Sequence, residues 1–352
     1  MPSGLGAPAG QRLGCAGASV VDAEGEGVGV NYDAEALNAV LERRLAAVEE
    51  RLLRAAVAEN PFTTEAARHL ISAGGKRFRP MLVSIASEFG PAADEERLIT
   101  AALAVEFTHV ASLYHDDVMD EAELRRGAPS ANARWGNSVA ILIGDFLFAR
   151  ASGAVAELGP GFVRLQAETF ARLVEGQVQD TRGPQPGDEP MAHYLKVLAD
   201  KTGSLISTSA RFGAMVADAA PEVVEALARY GEEIGVVFQL SDDVIDITSD
   251  VTGKTPGTDL REGVPTLPTL LLARSADPAD EPVQRLLASD LSDDANLSRA
   301  LQALRGHRVI EEARAEIQRR ADIAVDHLAP LPEGAAKEAL VRLAQELVSR
   351  AA

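Results

Sequence analysis

Asp116, Asp117 and Asp120 stand in "LYHDDVMDEAELRRG" (residues 113–127) with the spacing Asp-Asp-x-x-Asp, and Asp242, Asp243 and Asp246 repeat it in "VVFQLSDDVIDITSD". Residues four apart share one helix face, so each cluster stacks carboxylates in a row. One such cluster is explained equally well by a solvated helix surface. Two of them, about 125 residues apart and each closing an apolar helical run, are not. Facing rows of carboxylates repel unless cations lie between them. An all-oxygen donor set without His or Cys suits Mg²⁺ or Mn²⁺. Mg²⁺ usually shares its site with substrate phosphates, so a phosphate-bearing ligand is expected.

Such a ligand needs counter-charges, and these occur at turns. "GGKRFRP" (74–80) sets Lys76, Arg77 and Arg79 in a glycine-led loop before a helix, where a phosphate can approach the backbone and meet the paired donors of Arg. His109 lies two helical turns before Asp116, on nearly the same face. Arg125 and Arg126 follow the first cluster, Lys201 and Thr202 sit in "DKTGSL", Gln239 precedes Asp242 by three, and Lys254 follows in "DVTGKTPGTDL". Each alone reads as ordinary soluble surface. Their alternation with the acidic clusters argues for one shared pocket.

The elements that must position these groups are helices. "DAEALNAVLERRLAAVEERLLRAAVAE" (33–59) repeats apolar residues at three and four, and the pattern recurs at 62–73, 80–89, 94–118, 131–157, 161–180, 190–217, 221–247, 266–275, 282–289, 296–327 and 334–350. The breaks are Gly/Pro/Asp clusters, and alternating strand patterns are scarce. The expected fold is all-α, a large single-domain bundle over 33–352. Residues 1–32, rich in Gly and Ala, are expected to be a flexible tail. "LGCAG" around Cys15 has the look of a lipoprotein cleavage site, but no long apolar run or basic segment precedes it. "SVAILIGDFLFARA" (138–151) is short for a membrane span and carries Asp145, so a buried core helix is expected.

The 352 residues hold 34 Lys+Arg against 53 Asp+Glu, a net charge of -19. Such a surface repels nucleic acid and anionic lipid, leaving anions to local basic clusters. A single cysteine forbids an intramolecular disulfide and fits a reducing cytoplasm.

With these motifs in place, the sequence resembles the trans-type isoprenyl diphosphate synthases, the polyprenyl synthetase family. "GGKRFRP", "FTHVASLYHDDVMDEAELRRG", "GDFLFARA", "DKTGSL", "FQLSDDVIDITSD" and "GKTPGTDLREGVPTLP" follow the family's order. One departure is Val264, where many members have Lys. The resemblance implies an isoprenoid-synthase bundle with a central cavity, a homodimer, and about three Mg²⁺ per site, with Mn²⁺ as the alternative. It makes Asp116, Asp120 and Asp242 the metal ligands, with Asp117, Asp243 and Asp246 completing the motifs. Lys76, Arg79, His109 and Arg126 would bind isopentenyl diphosphate. Arg125, Lys201, Thr202, Gln239 and Lys254 would meet the allylic diphosphate. No membrane span is implied, only peripheral contact for release of an apolar product.

In this family the growing tail runs beside the helix of the first acidic cluster. Ala111 and Ser112, then Thr108, Ala104 and Ala101, form a small-residue stripe of about 15 Å, so an open tunnel and a product of about six to ten isoprene units are expected. Shorter farnesyl or geranylgeranyl products, a class I terpene cyclase and a regulatory subunit of a two-component synthase are the alternatives. A cyclase has no use for a second diphosphate site, yet "GGKRFRP" and His109 are intact. A regulatory subunit would be expected to lose aspartates, and both clusters are complete.

Overall fold

The computed structural model describes residues 33–91, 93–248 and 256–351; the tail read at 1–32 with Cys15, and Asp250 and Lys254, lie outside them. Helix α1 (Ala34–Ala55) begins where the Asp33 carboxylate accepts the Ala36 amide at 2.8 Å, and it buries Leu37, Val40, Leu41, Val48 and Leu52 along one stripe. After α2 (Pro61–Ser72) and α3 (Phe78–Ala86) comes α4 (Glu95–Met119), capped by Asp94 through the Glu96 and Arg97 amides. From Leu98 to Ala111 every residue of α4 except His109 is buried. A helix this apolar all round belongs at the centre.

The chain continues through α5 (Ala131–Trp135), α6 (Asn137–Leu158), α7 (Pro160–Arg182) and α8 (Pro190–Leu198), then a π-helical turn (Ala199–Gly203) that runs into α9 (Ser204–Val216). The long α10 (Pro221–Thr248) is followed by α11 (Thr258–Glu262), α12 (Leu267–Ala273), α13 (Glu281–Leu287), α14 (Asp294–Arg305), α15 (Arg308–Asp326) and α16 (Ala335–Arg350). Among the described residues the strands are β1 (Leu124–Arg125) and β2 (Ala128–Pro129), a small antiparallel ladder pairing Arg125 with Ala128. The helical expectation therefore holds. Two of the expected helices are each a pair: 131–157 divides at Gly136 and 296–327 at Gly306.

Helix α4 packs on α6, α3, α9 and α1, while α10 packs on α9 and α15. One apolar core surrounds α4 and another surrounds α10. Helix α9 belongs to both, sending Leu205, Phe212 and Val216 to the first and Ile206, Ala210 and Ala214 to the second.

The segment 138–151 corrects the sequence reading. It lies in α6, which is long and apolar enough to cross a membrane but has only 33% of that apolar window buried. Its inner stripe of Ala140, Ile143, Gly144, Leu147, Ala151 and Val155 faces the bundle, and Leu142 on the outside is 65% exposed. The inner contact is close. A Cβ at Gly144 would sit 2.3 Å from Nε2 of His115 and 3.2 Å from the Ala111 carbonyl.

Candidate active site

A cavity of about 450 Å³ lies between the C-terminal halves of α4 and α10. From α4 come His109, Ser112 and Asp116. From α3 comes Arg79, from the π-helical turn Lys201 and Thr202, from α10 Phe238, Gln239 and Asp243, and beyond it Asp259 and Val264. Of the groups expected in one pocket, Asp116, Asp243, Arg79, His109, Lys201, Thr202 and Gln239 share this lining, while Asp117, Asp120, Asp242, Asp246, Lys76, Arg125 and Arg126 lie outside it.

In the first acidic cluster only Asp116 faces the cavity. Burial pushes its carboxyl up to about 6; Lys201 and Arg125 oppose that rise, while Asp120 and Asp117 add to it. Its side chain makes no hydrogen bond or ion pair among the described residues. Asp120 caps α4 and is exposed, its amide bonded to the Asp116 carbonyl at 2.8 Å. Asp117 points into the protein, fully buried, and accepts from Nε of Arg125 at 2.6 Å. Its second oxygen is buried without a partner. This bears on two expectations. Asp117 is a support under the cluster, and Arg125 is its counter-ion, set outside the cavity lining.

The second cluster divides differently. Asp243 faces the cavity and is buried, held by the Tyr194 hydroxyl and by the Leu267 amide at 2.8 Å. Burial pushes its carboxyl up to about 8 despite those two donors. Asp242 lies outside the lining, paired with Nη2 of Arg350 from α16 at 3.0 Å, and Arg350 also stacks over Phe238. The Asp246 carboxylate accepts the Asp259 amide at 3.3 Å.

The basic loop supplies the opposite pole. Arg79 enters the cavity with its Nε buried and unpartnered, and burial lowers its guanidinium to about 10. Burial, then Arg79 and Arg126, hold His109 well below the usual imidazole range, so it stands neutral. Arg126 lies against Gly75 and donates to the carbonyls of Leu70, at 2.9 Å, and Gly74. The Leu70 carbonyl belongs to the last turn of α2, where cations are favoured. Lys76 is exposed and, like Arg126, is not part of the cavity lining. Arg77 turns away into the core.

Lys201 owes its position to the π-helical turn, an extra residue per turn that re-aims side chains. Its Nζ reaches Asp180 of α7 at 2.8 Å. The turn is pressed between α7 and α10. A Cβ at Gly235 would lie 2.5 Å from the Gly203 Cα. Arg172 ties the buried Asp200 at 2.9 Å to Glu232 at 3.0 Å.

The small-residue stripe is corrected by the packing. Ala111, Thr108, Ala104 and Ala101 are all 0% exposed, so none borders a space that admits water. Thr108 receives Nε2 of Gln166 from α7 at 2.6 Å, and Gly144 closes on Ala111. Small side chains let α6 and α7 approach instead of leaving a tunnel. Ser112 is the exception. It lines the polar cavity and also an adjoining apolar pocket of about 340 Å³ between α4, α6 and α7, bounded by Phe148, Phe170 and Leu173.

Among the described residues no three His, Cys, Asp or Glu side chains converge closely enough to hold a metal ion by themselves. The donors nevertheless suit a hard divalent cation, being carboxylates whose pKa values burial raises for want of positive charge, with room for ligand oxygens to complete the shell. Sequence reasoning missed Tyr194, Asp180 and Asp259, which no spacing marks. "GQVQDTR" offered a faint signal for Asp180, a carboxylate closing a helix with an Arg behind it.

The model of the polyprenyl synthetase family matches residues 60–304. The chain is 48% identical over 284 residues to nonaprenyl diphosphate synthase of Mycobacterium tuberculosis, covering 80% of this chain and 85% of that protein. It is similar in structure to geranylgeranyl pyrophosphate synthase of Corynebacterium glutamicum, crystallised with calcium and isoprenyl diphosphate (45% identity, TM-score 0.81, covering 90% of this chain and 97% of that one). It is also similar to decaprenyl diphosphate synthase of Rhodobacter capsulatus (33% identity, TM-score 0.81, covering 90% and 99%).

Proposed function

The chain belongs to the polyprenyl synthetase family, and from that premise we propose that it condenses isopentenyl diphosphate with an allylic diphosphate to make a long-chain polyprenyl diphosphate. The observation that carries the reading is one cavity with a carboxylate pole at Asp116 and Asp243, a cation pole at Arg79, and an apolar pocket opening beside Ser112. Asp116, Asp120 and Asp242 would hold divalent cations, about three Mg²⁺ in number, once Asp242 leaves Arg350. When bound, the metal neutralises charge on the allylic diphosphate as its C–O bond breaks. Lys201, Thr202 and Gln239 orient the same anion, while Arg79 and the neutral His109 hold isopentenyl diphosphate. The alkene carbon bonds to the allylic carbon, a proton leaves to the released diphosphate, and a new double bond closes the charge balance. The apolar pocket keeps water from the cationic carbon. Val264 brings no cation to the lining, so among the described residues Lys201 is the lining cation that serves the allylic diphosphate.

The test is an assay of purified protein with Mg²⁺, labelled isopentenyl diphosphate and an allylic primer, with chromatography of the dephosphorylated products. Products of about six to ten isoprene units are expected. The 45% identity to a geranylgeranyl synthase favours a second reading, a twenty-carbon product, and that length in the assay would replace the first. Ser112→Phe should shorten the products with turnover retained. Ala111→Phe should instead destabilise the fold by about 1–3 kcal/mol, as overpacking does. A melting curve alongside the product profile separates the two, and a shorter product from Ala111→Phe at unchanged stability would restore the tunnel along the stripe.

We further read the outer faces of α6 and α7 as a homodimer interface. Ile141, Leu142, Val163, Val174 and Val178 are each at least 42% exposed, and Ile141, Val174 and Val178 among them also border the mouth of the apolar pocket, an apolar surface that isolated monomers rarely leave to water. Light scattering at micromolar concentration should return twice the chain mass, and Leu142→Asp should return one. A monomeric wild type would end this reading. A cytoplasmic location is part of the same proposal, supported by the single cysteine.

A further inference from the structure

Arg77 has the composition and setting of a phosphate ligand, yet its guanidinium is 6% exposed and faces the interior. Four of its N–H donors are engaged. Nε and Nη2 grip both oxygens of Glu49 on α1 at 2.6 and 2.8 Å. Nη1 reaches Glu106 on α4 at 2.9 Å, and Nη2 also reaches the Ile71 carbonyl at the end of α2 at 2.8 Å. Glu106 is itself 2% exposed. The backbone of Arg77 is left-handed, with φ 47° and ψ 40°, at the residue that starts α3. A bulky residue holds that conformation only where its surroundings compel it.

We infer that Arg77, clamped between Glu49 and Glu106, is a positioning residue for the isopentenyl diphosphate site. The inference rests on the proposed prenyl transfer. The clamp joins three helices at one point and fixes the direction in which the chain enters α3. Arg79, two residues on, is thereby aimed into the cavity with an unpartnered Nε. The same carboxylate of Glu106 faces a cluster of Arg77, Arg79 and Arg126, and it supports the charged state of both neighbours. Without it the three guanidinium groups repel and the loop loses its register.

The test varies each substrate in turn for Arg77→Gly, Arg77→Lys, Glu106→Gln and Glu49→Gln. Glycine adopts the left-handed conformation freely, so Arg77→Gly removes the clamp without adding strain. It should raise KM for isopentenyl diphosphate at least tenfold and leave KM for the allylic primer within twofold, with kcat at saturation and product length little changed. Arg77→Lys should fall between Arg77→Gly and wild type. Glu106→Gln should share the split, and its effect should nearly vanish in an Arg77→Gly background, as expected for members of one unit. Should Arg77→Gly fail to fold, the partly exposed Glu49 keeps the question open to measurement, and Glu49→Gln must show the same split at a smaller amplitude. Equal rises in both KM values, or an unchanged KM for isopentenyl diphosphate in a folded variant, overturn the inference. A wild type with no isopentenyl transfer is a different result, and overturns the proposed function instead.

Discussion

Replacing Asp116 with alanine is expected to lower turnover about a thousandfold, which corresponds to losing about 4 kcal/mol of transition-state stabilisation. That magnitude suits a carboxylate that holds cations against a departing anion. The loss should come with no loss of fold. The Asp116 side chain has no partner among the described residues, and its burial already disfavours the charged form. Alanine therefore removes a cost as well as a function. Asp117→Ala offers the contrast on the adjacent residue. It removes the charged acceptor of the Arg125 Nε, a loss of about 1.5–3 kcal/mol of stability, since Arg125 is 27% exposed and its charge can still reach water. Circular dichroism melting and saturating-substrate kinetics on both variants should show activity lost in one and stability lost in the other. A turnover within tenfold of wild type for a folded Asp116→Ala would remove the shared-metal reading.

Arg79→Ala should raise KM for isopentenyl diphosphate about a hundredfold, since one charge-assisted pair to an anion contributes about 1.5–3 kcal/mol. The allylic primer should be nearly unaffected, because Lys201 lies on a different element and faces the Asp116 side of the cavity. Stability should hold or rise, because the Arg79 guanidinium sits in a site that disfavours its charge. Equal changes in the two KM values would collapse the two diphosphate positions into one.

Periodicity made the helices legible. The run that became α4 could be traced nearly to its ends, because Asp94 announces the start and the acidic cluster announces the stop. The misread boundaries, at Gly136 and Gly306, are ones that apolar periodicity crosses without a change of phase. The candidate site was legible as residue types and only partly as roles. Repeated spacing pointed to both acidic clusters, but spacing does not say which member of an Asp-Asp pair faces the cavity. In the first cluster that is Asp116, in the second Asp243. The reason lies in partners that are distant in sequence, Arg350 for Asp242 and Tyr194 for Asp243. The Ala111 stripe failed for a plainer reason. Small residues permit both a channel and a close helix contact, and only the placement of Gly144 and Gln166 decides between them. Nothing in "LADKTGSL" marks a π-helical turn, which depends on one residue too many being fitted between α7 and α10.

Helix α9 touches both cores but brings none of the acidic or basic groups of the site, and this gives the molecule a particular evolvability. The helices bearing the two carboxylate poles are both braced on α9, so the gap between the poles is set by a spacer that lends the cavity only the apolar Ile206. The walls of the apolar pocket come from α6 and α7, on the other side of α4. A lineage can therefore exchange Phe148, Phe170 or Leu173 and change how much hydrocarbon is accommodated while the distance across which the diphosphate ionises stays constant. Apart from Ser112 and Asp116, which border both spaces, selection on product size and selection on reaction rate act on separate sets of residues.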